Sequence, residues 1–409
     1  MRWREALFIE IQETVMIRIE KPYIEYKGDD ATLITYISID GNREKVWFKV
    51  NRKFGQYLCD ERGDAYLVAV LHYAITNGHD IELEVPVTED LLYNIETYLI
   101  DGLVAYNPSF HRSRIKAEVA SEALPNAGAV GTGISCGVDS LYALARESNP
   151  LFPNHKITHL TFNNVGSHGE GEKARSLYND RLERPKRFAE EYGYEFVASD
   201  SNLMDVIKQS HFYTHTYSSM FPVLCLQKLY SVYYYASCGY RYDEFILKSK
   251  EGRGCGSYEL LSLPVFSTHQ LRIYSQGENM TRMQKLKKVT EYAPSYKYLN
   301  VCLKDGDNCG RCEKCVRTMT GLDALGKLDL YHNVFDVDYY KSHKTWYMKQ
   351  MLKQIVHKKH DYFEIYNYKK KDMTLSLYIY KVLYKIFFSC RSAANYMGIT
   401  KFVKQLIKR

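Results

Sequence analysis

A chain of 409 residues exceeds the usual size of one domain, and its 45% hydrophobic and 25% charged content is that of a folded protein, which excludes overall disorder. The net charge of +7 is uneven: residues 341–409 hold 16 Lys and Arg against 3 Asp and Glu, so the preceding 340 residues carry −6. No run of 18 apolar residues offers a membrane span, and Met1-Arg2-Trp3-Arg4-Glu5 lacks the apolar core of a signal peptide, so the expectation is a cytoplasmic protein.

In chain order, 17–19, 33–39 and 46–50 alternate or run β-branched and read as strands, the last two joined by the hairpin signal Asp40-Gly41-Asn42. A helix over 64–77, a strand over 81–85 and a helix opening at Thr88-Glu89-Asp90 complete an expected α+β N-terminal module, residues 1–124. The breaker-rich stretch from Leu124 to Gly131 marks its end. Strands at 132–135, 157–162, 195–198 and 244–247 then alternate with helices at 141–147, 185–192 and 220–238. That alternation predicts an α/β domain over 125–330, a parallel sheet with helices on both faces. Residues 331–409 are expected to form a helical basic extension.

The segment Gly131-Thr132-Gly133-Ile134-Ser135-Cys136-Gly137-Val138-Asp139-Ser140 ends a strand in a tight turn of small residues and opens a helix. Free N–H groups at such a helix mouth bind phosphate, and the hydroxyls of Ser135 and Ser140 add donors. A carboxylate at Asp139 makes sense beside Mg²⁺. The loop is neither a Walker loop nor Gly-x-Gly-x-x-Gly. It resembles the Ser-Gly-Gly-x-Asp-Ser loop of the PP-loop ATP pyrophosphatases, with Cys136 in place of the first glycine of the pair. The resemblance implies an adenine nucleotide alpha-hydrolase-like fold and cleavage of ATP to AMP and pyrophosphate, with Asp139 catalytic. ATP would be bound by Ser135, Cys136, Gly137, Val138, Asp139 and Ser140, and Thr161 and Phe162 on the next strand would flank the adenine.

Of the ten cysteines, Cys302, Cys309, Cys312 and Cys315 crowd into fourteen positions. Two overlapping Cys-x-x-Cys turns place three thiolates on one loop, and Cys302 completes a tetrahedral shell for Zn²⁺, with an iron–sulfur cluster or a redox pair as alternatives. A closed four-sulfur shell implies a structural metal, and crowding of this kind suits a reducing compartment. Together the two motifs, covering about half the chain (131–326), resemble the 7-cyano-7-deazaguanine synthase branch of the family. That implies an AMP-forming C–N ligase acting on a small-molecule acid, with ammonia or another amine, including one on a protein, as acceptor.

Other residues are weighed on chemistry alone. Lys248 and Arg253, in the loop after the expected fourth strand, are catalytic candidates that stabilise charge on the leaving pyrophosphate. Glu259 is a candidate acceptor for a guanine-like amidine edge and His215 a polar substrate contact. Cys136 and Cys255 would be nucleophiles if the chemistry were instead tRNA thiolation, which needs an activated thiolate. A third reading is a non-catalytic nucleotide-binding partner. Lys381 and Lys385, four apart amid Tyr, Ile, Leu and Phe, predict a basic amphipathic helix over 375–388 for a membrane surface, nucleic acid or acidic protein. A homo-oligomer is expected.

Overall fold

The computed structural model describes residues 15–146, 151–237, 241–247, 254–302 and 306–396, with side chains to 390. Two compact units emerge, Met1–Ser135 with Glu147–Asn279, and Cys136–Arg146 with Met280–Arg409. The first contains the sheet and the second is helical among its described residues.

The strands are β1 (Val15–Ile19), β2 (Tyr23–Lys27), β3 (Asp30–Ile39), β4 (Asn42–Asn51), β5 (His79–Leu83), β6 (Val87–Thr88), β7 (Ile115–Lys116), β8 (Val119–Ala120), β9 (Ala129–Gly133), β10 (His159–Asn164), β11 (Glu195–Ser201), β12 (Tyr230–Ala236) and β13 (Arg272–Gln276). The helices before residue 270 are α1 (Asp64–Asn77), α2 (Glu89–Asn94), α3 (Ile100–Tyr106), α4 (Val138–Arg146), α5 (Gly171–Tyr192), α6 (Leu203–Ile207), α7 (His211–Cys225) and α8 (Glu259–Val265). Of these only α4 belongs to the helical unit.

The hairpin forms as its turn chemistry requires: Asp40 and Gly41 take φ of 52° and 78°, and Ile39 pairs with Asn42. Helix α1 ends at Gly78, whose left-handed φ of 79° lets its N–H reach the Ala74 carbonyl at 3.0 Å. At the other end Asp64 is fully buried, yet its carboxylate accepts from the Thr88 N–H and hydroxyl and from Gln227. Packing of α1 on α7 brings Tyr66 edge-on to Phe221 at 5.5 Å, and Phe48 of β4 meets the same ring edge-on at 5.8 Å. Phe48→Ala there would cost about 3–5 kcal/mol.

Strand order in the main sheet is β13-β12-β9-β10-β11-β4-β3-β1-β5-β7, with β2 on β3. The five strands from β13 to β11 are all parallel. Next, β4 joins β11 antiparallel, Val50 opposite Ser199, so the sheet is mixed rather than purely parallel. The sheet thus runs through the boundary expected at residue 124, and helices flank it. From β9 the chain steps to β10 and β11 on one side and returns to β12 and β13 on the other. The order reverses between β9 and β12.

Two expected elements are replaced. The helix expected over 220–238 stops at Cys225, and Tyr230–Ala236 is the fourth parallel strand instead. Residues 244–247, expected as that strand, form no strand. A strand between two others is buried on both faces, so its apolar run shows no period to distinguish it from a helix. The four tyrosines and one valine of 230–236 were the available signal. Gly131 on β9 accommodates those rings, since a Cβ there would lie 2.7 Å from the Tyr230 ring and 2.9 Å from that of Tyr233.

In the helical unit, α9 (Arg282–Val289) opens on a capping box of Thr281 and Gln284 and packs on α4. There follow α10 (Ser295–Tyr298), α11 (Glu313–Ala324), α12 (Val337–Ser342), α13 (Lys344–Val356), α14 (His360–Lys369) and α15 (Leu375–Tyr396). Helices α13 and α14 pack on α11, and α15 packs on α13. The basic extension is therefore continuous with the unit carrying the cysteines. No described helix is long and apolar enough to cross a membrane.

Candidate functional site

The cysteine group assembles from the segment ending at Cys302, a knuckle and a helix end. Cys302 approaches from one side. Gly310, at φ 68°, turns the chain so that the Cys312 N–H points at the Cys309 Sγ, 3.3 Å away. Cys312 is the N-cap of α11 and Cys315 lies in its first turn, where the helix dipole favours a thiolate. All four sulfurs lie within 4.8 Å of one another, with Cys302 and Cys312 at 4.0 Å. Metal–sulfur bonds of about 2.3 Å in a tetrahedron put sulfurs about 3.8 Å apart, so the group can hold a metal ion such as zinc. Burial and the neighbouring Cys312 push the Cys315 thiol well up, and a bound cation reverses that preference.

The knuckle is braced by its surroundings. Asn308 accepts from the Val301 N–H at 2.8 Å and donates to the Leu299 and Val334 carbonyls. The Tyr347 hydroxyl of α13 donates to the Gly310 carbonyl at 2.9 Å, and Tyr362 of α14 donates to that of Glu313 at 3.1 Å. Arg317 forms an ion pair with Asp361. These partners explain why the C-terminal helices belong to this unit.

The expected phosphate loop lies where the chain passes from one unit to the other. In the sheet unit β9 ends at Gly133, the Ile134 N–H donates to the Thr161 carbonyl at 2.8 Å, and Ser135 is exposed. In the helical unit Cys136 is buried with φ of 57°, the left-handed region where glycine costs least, and α4 begins at Val138. The residue that departs from the resembling loop therefore takes a glycine-like conformation. The Cys136 carbonyl accepts from the Asn300 N–H at 2.8 Å, and the Asn300 side chain accepts from the Cys302 N–H at 3.2 Å. One asparagine thus ties the turn to the cysteine group. Ser140 donates its hydroxyl to the Gly137 carbonyl at 3.2 Å.

Asp139 has partners that its local sequence does not disclose. Its Oδ2 accepts from Arg282 at 2.6 Å and its Oδ1 from Lys285 at 3.3 Å, both on α9. Burial alone pushes this carboxyl up, but the two cations outweigh it and bring it down to about 2. Sequence reading missed Arg282 and Lys285 because they lie more than 140 residues away. Their only local signal was a capping box followed by alternating Arg and Lys.

The remaining candidates divide between units. In the sheet unit the Thr161 hydroxyl is 2.7 Å from that of Tyr233, and the Phe162 ring stacks on Tyr178 at 5.2 Å. His215 Nδ1 lies 3.0 Å from the Tyr235 hydroxyl, and burial with the neighbouring His211 holds the imidazole down at about 4, hence neutral. Glu259 is fully buried at the start of α8 and accepts from Ser237. Burial pushes the Cys255 thiol up to about 11, the opposite of an activated nucleophile. Lys248 and Arg253 lie outside the described residues.

Fold and site together define an α/β protein with a mostly parallel mixed sheet and a four-cysteine group suited to a metal. Comparison with protein-family models, curated proteins and solved structures gives no match.

Proposed function

We propose that this chain is an ATP-dependent, AMP-forming C–N ligase of adenine nucleotide alpha-hydrolase type, acting on the carboxylate of a 7-deazaguanine-like acid. The observation that carries the proposal is topological. The Ser135–Ser140 segment follows β9, the strand from which the parallel order reverses, and ligands of open α/β sheets bind beyond the carboxyl ends of strands at such a reversal. A strand, a turn through a left-handed residue and a helix N-terminus are the backbone elements of an anion nest.

In this reading the substrate carboxylate oxygen attacks the α-phosphorus, the Pα–O bond to the β-phosphate breaks, and pyrophosphate leaves. The amine nitrogen then attacks the acyl carbon, AMP departs and the nitrogen loses a proton. Arg282 and Lys285, which both pair with Asp139 in the first turn of α4, are candidates for the pyrophosphate. Asp139 would hold Mg²⁺ in exchange for a contact with Arg282 or Lys285, and that ion takes most of its remaining ligands from phosphate and water. Mg²⁺ would neutralise charge on the leaving group. The metal at the cysteines is structural, since four protein sulfurs close its shell.

The test is incubation with ATP, Mg²⁺ and 7-carboxy-7-deazaguanine, with and without ammonium, following AMP and product mass. AMP that depends on the acid is the expected result. ATP binding without AMP for this or related acids would overturn the proposal in favour of a non-catalytic nucleotide-binding protein. Thiolation through Cys255 is disfavoured by its raised thiol.

A further inference from the structure

Helix α15 is apolar on two faces, and among the described residues only one of them is covered. Leu377, Tyr380, Tyr384 and Phe388 recur at helical spacing and turn inward. Leu377 is buried, Lys349 and Lys353 of α13 lie over the Tyr380 and Tyr384 rings, and His357 packs on Phe388 at 4.4 Å. That face accounts for the contact with α13. On the other side Leu375, Ile379, Val382, Leu383, Ile386 and Phe387 are 51–76% exposed. At 100° per residue they form one stripe over more than three turns. Single exposed apolar residues need no explanation, whereas a continuous stripe marks a surface that something covers.

Charge decides among the possible covers. Between residues 344 and 390 there are ten lysines and three acids, Asp361, Glu364 and Asp372. Asp361 is paired with Arg317, and Asp372 with Lys344 and Lys369. Lys385 is exposed on α15 beside the stripe, and Lys358, Lys359, Lys370 and Lys371 are exposed on the neighbouring segments. A second copy laid against this stripe would bring two lysine-rich surfaces together. An anionic bilayer supplies both an apolar interior for the stripe and negative headgroups for the lysines. A helix lying in the interface buries its apolar face by about 5–10 Å, within reach of side chains such as Leu383 and Phe387.

We propose that α15 is a membrane-surface anchor, lying in the plane of an anionic lipid bilayer with the Leu375–Phe387 stripe in the acyl boundary. It does not span the bilayer, and attachment through one interfacial helix is reversible.

The experiment is vesicle flotation of the full chain with phosphatidylglycerol–phosphatidylcholine vesicles and with pure phosphatidylcholine. Cys390, the one exposed cysteine among those described, is labelled with an environment-sensitive fluorophore as a second readout. The expected result is flotation with anionic vesicles, a blue shift of the label and loss of both at high salt. Val382→Asp with Ile386→Asp abolishes flotation, and thermal melting of the variant checks that the fold persists. Lys385→Glu weakens the apparent affinity by about fivefold or more. Three results would overturn the proposal: no flotation with anionic vesicles at low salt, equal flotation with neutral vesicles, or a lipid-free dimer that the aspartate substitutions dissociate.

Discussion

Asp139→Asn removes one charge from a cluster of three and leaves its shape nearly unchanged. In the native chain the carboxylate lies 2.6 Å from Arg282 and 3.3 Å from Lys285, with side-chain exposures of 23%, 17% and 7%. A carboxyl that titrates near 2 when folded and near 3.8 when free contributes about 2 kcal/mol at neutral pH. The folded value is the lower one, so this stability is complete above pH 3.8 and is lost as pH falls through about 2. At pH 3 roughly half remains. The amide also takes from Arg282 and Lys285 the carboxylate charge that they share. Breaking a fully buried pair costs about 3–5 kcal/mol, and residual solvent access here brings the expected total to about 2–3 kcal/mol. Urea unfolding of both proteins at pH 7 and pH 3 is the assay, with Asp139→Asn/Lys285→Met as the compensating variant. We expect a clear loss at pH 7, a smaller gap at pH 3 and partial recovery in the double variant. A variant as stable as the native protein at pH 7, or a penalty equal at both pH values, would refute this account of the cluster.

Three further outcomes follow from other parts of the molecule. Metal analysis of the purified chain should find about one zinc or iron per molecule, and Cys309→Ser with Cys312→Ser should abolish it and destabilise the helical unit; a metal-free, equally stable native chain would contradict the centre. At the left-handed Cys136, the Gly variant should exceed the Ala variant in stability by about 1 kcal/mol, because only alanine retains the Cβ penalty; thermal melts of the two decide it. Burial holds His72 down at about 4, so its contribution is present above pH 6.5 and fades as pH falls toward 4. His72→Asn should therefore flatten the pH 7-to-4 decline in stability by about 3 kcal/mol, and parallel declines in both proteins would count against it.

Local features were legible in the order of residues. The Asp40-Gly41 turn, the span of α1, the left-handed stop at Gly78 and the knuckle around Gly310 each follow from chemistry within a few positions. The four cysteines also announced themselves, because ligands closing one shell through short turns leave a spacing that can be read directly. What tertiary structure alone decided lies at long range. It joined β4 to β11 and so carried the sheet across an expected domain boundary, and it made a strand of Tyr230–Ala236, where burial on both faces erases periodicity. It also brought Arg282 and Lys285 to Asp139, linked Asn300 to the Cys136 turn, and among the described residues covered one face of α15 while leaving the other open. Turns and helix ends are set by the backbone preferences of the residues within them. Strand order, ion-pair partners and the covered side of a helix depend on which distant surfaces meet, and one segment's sequence specifies only half of such a contact.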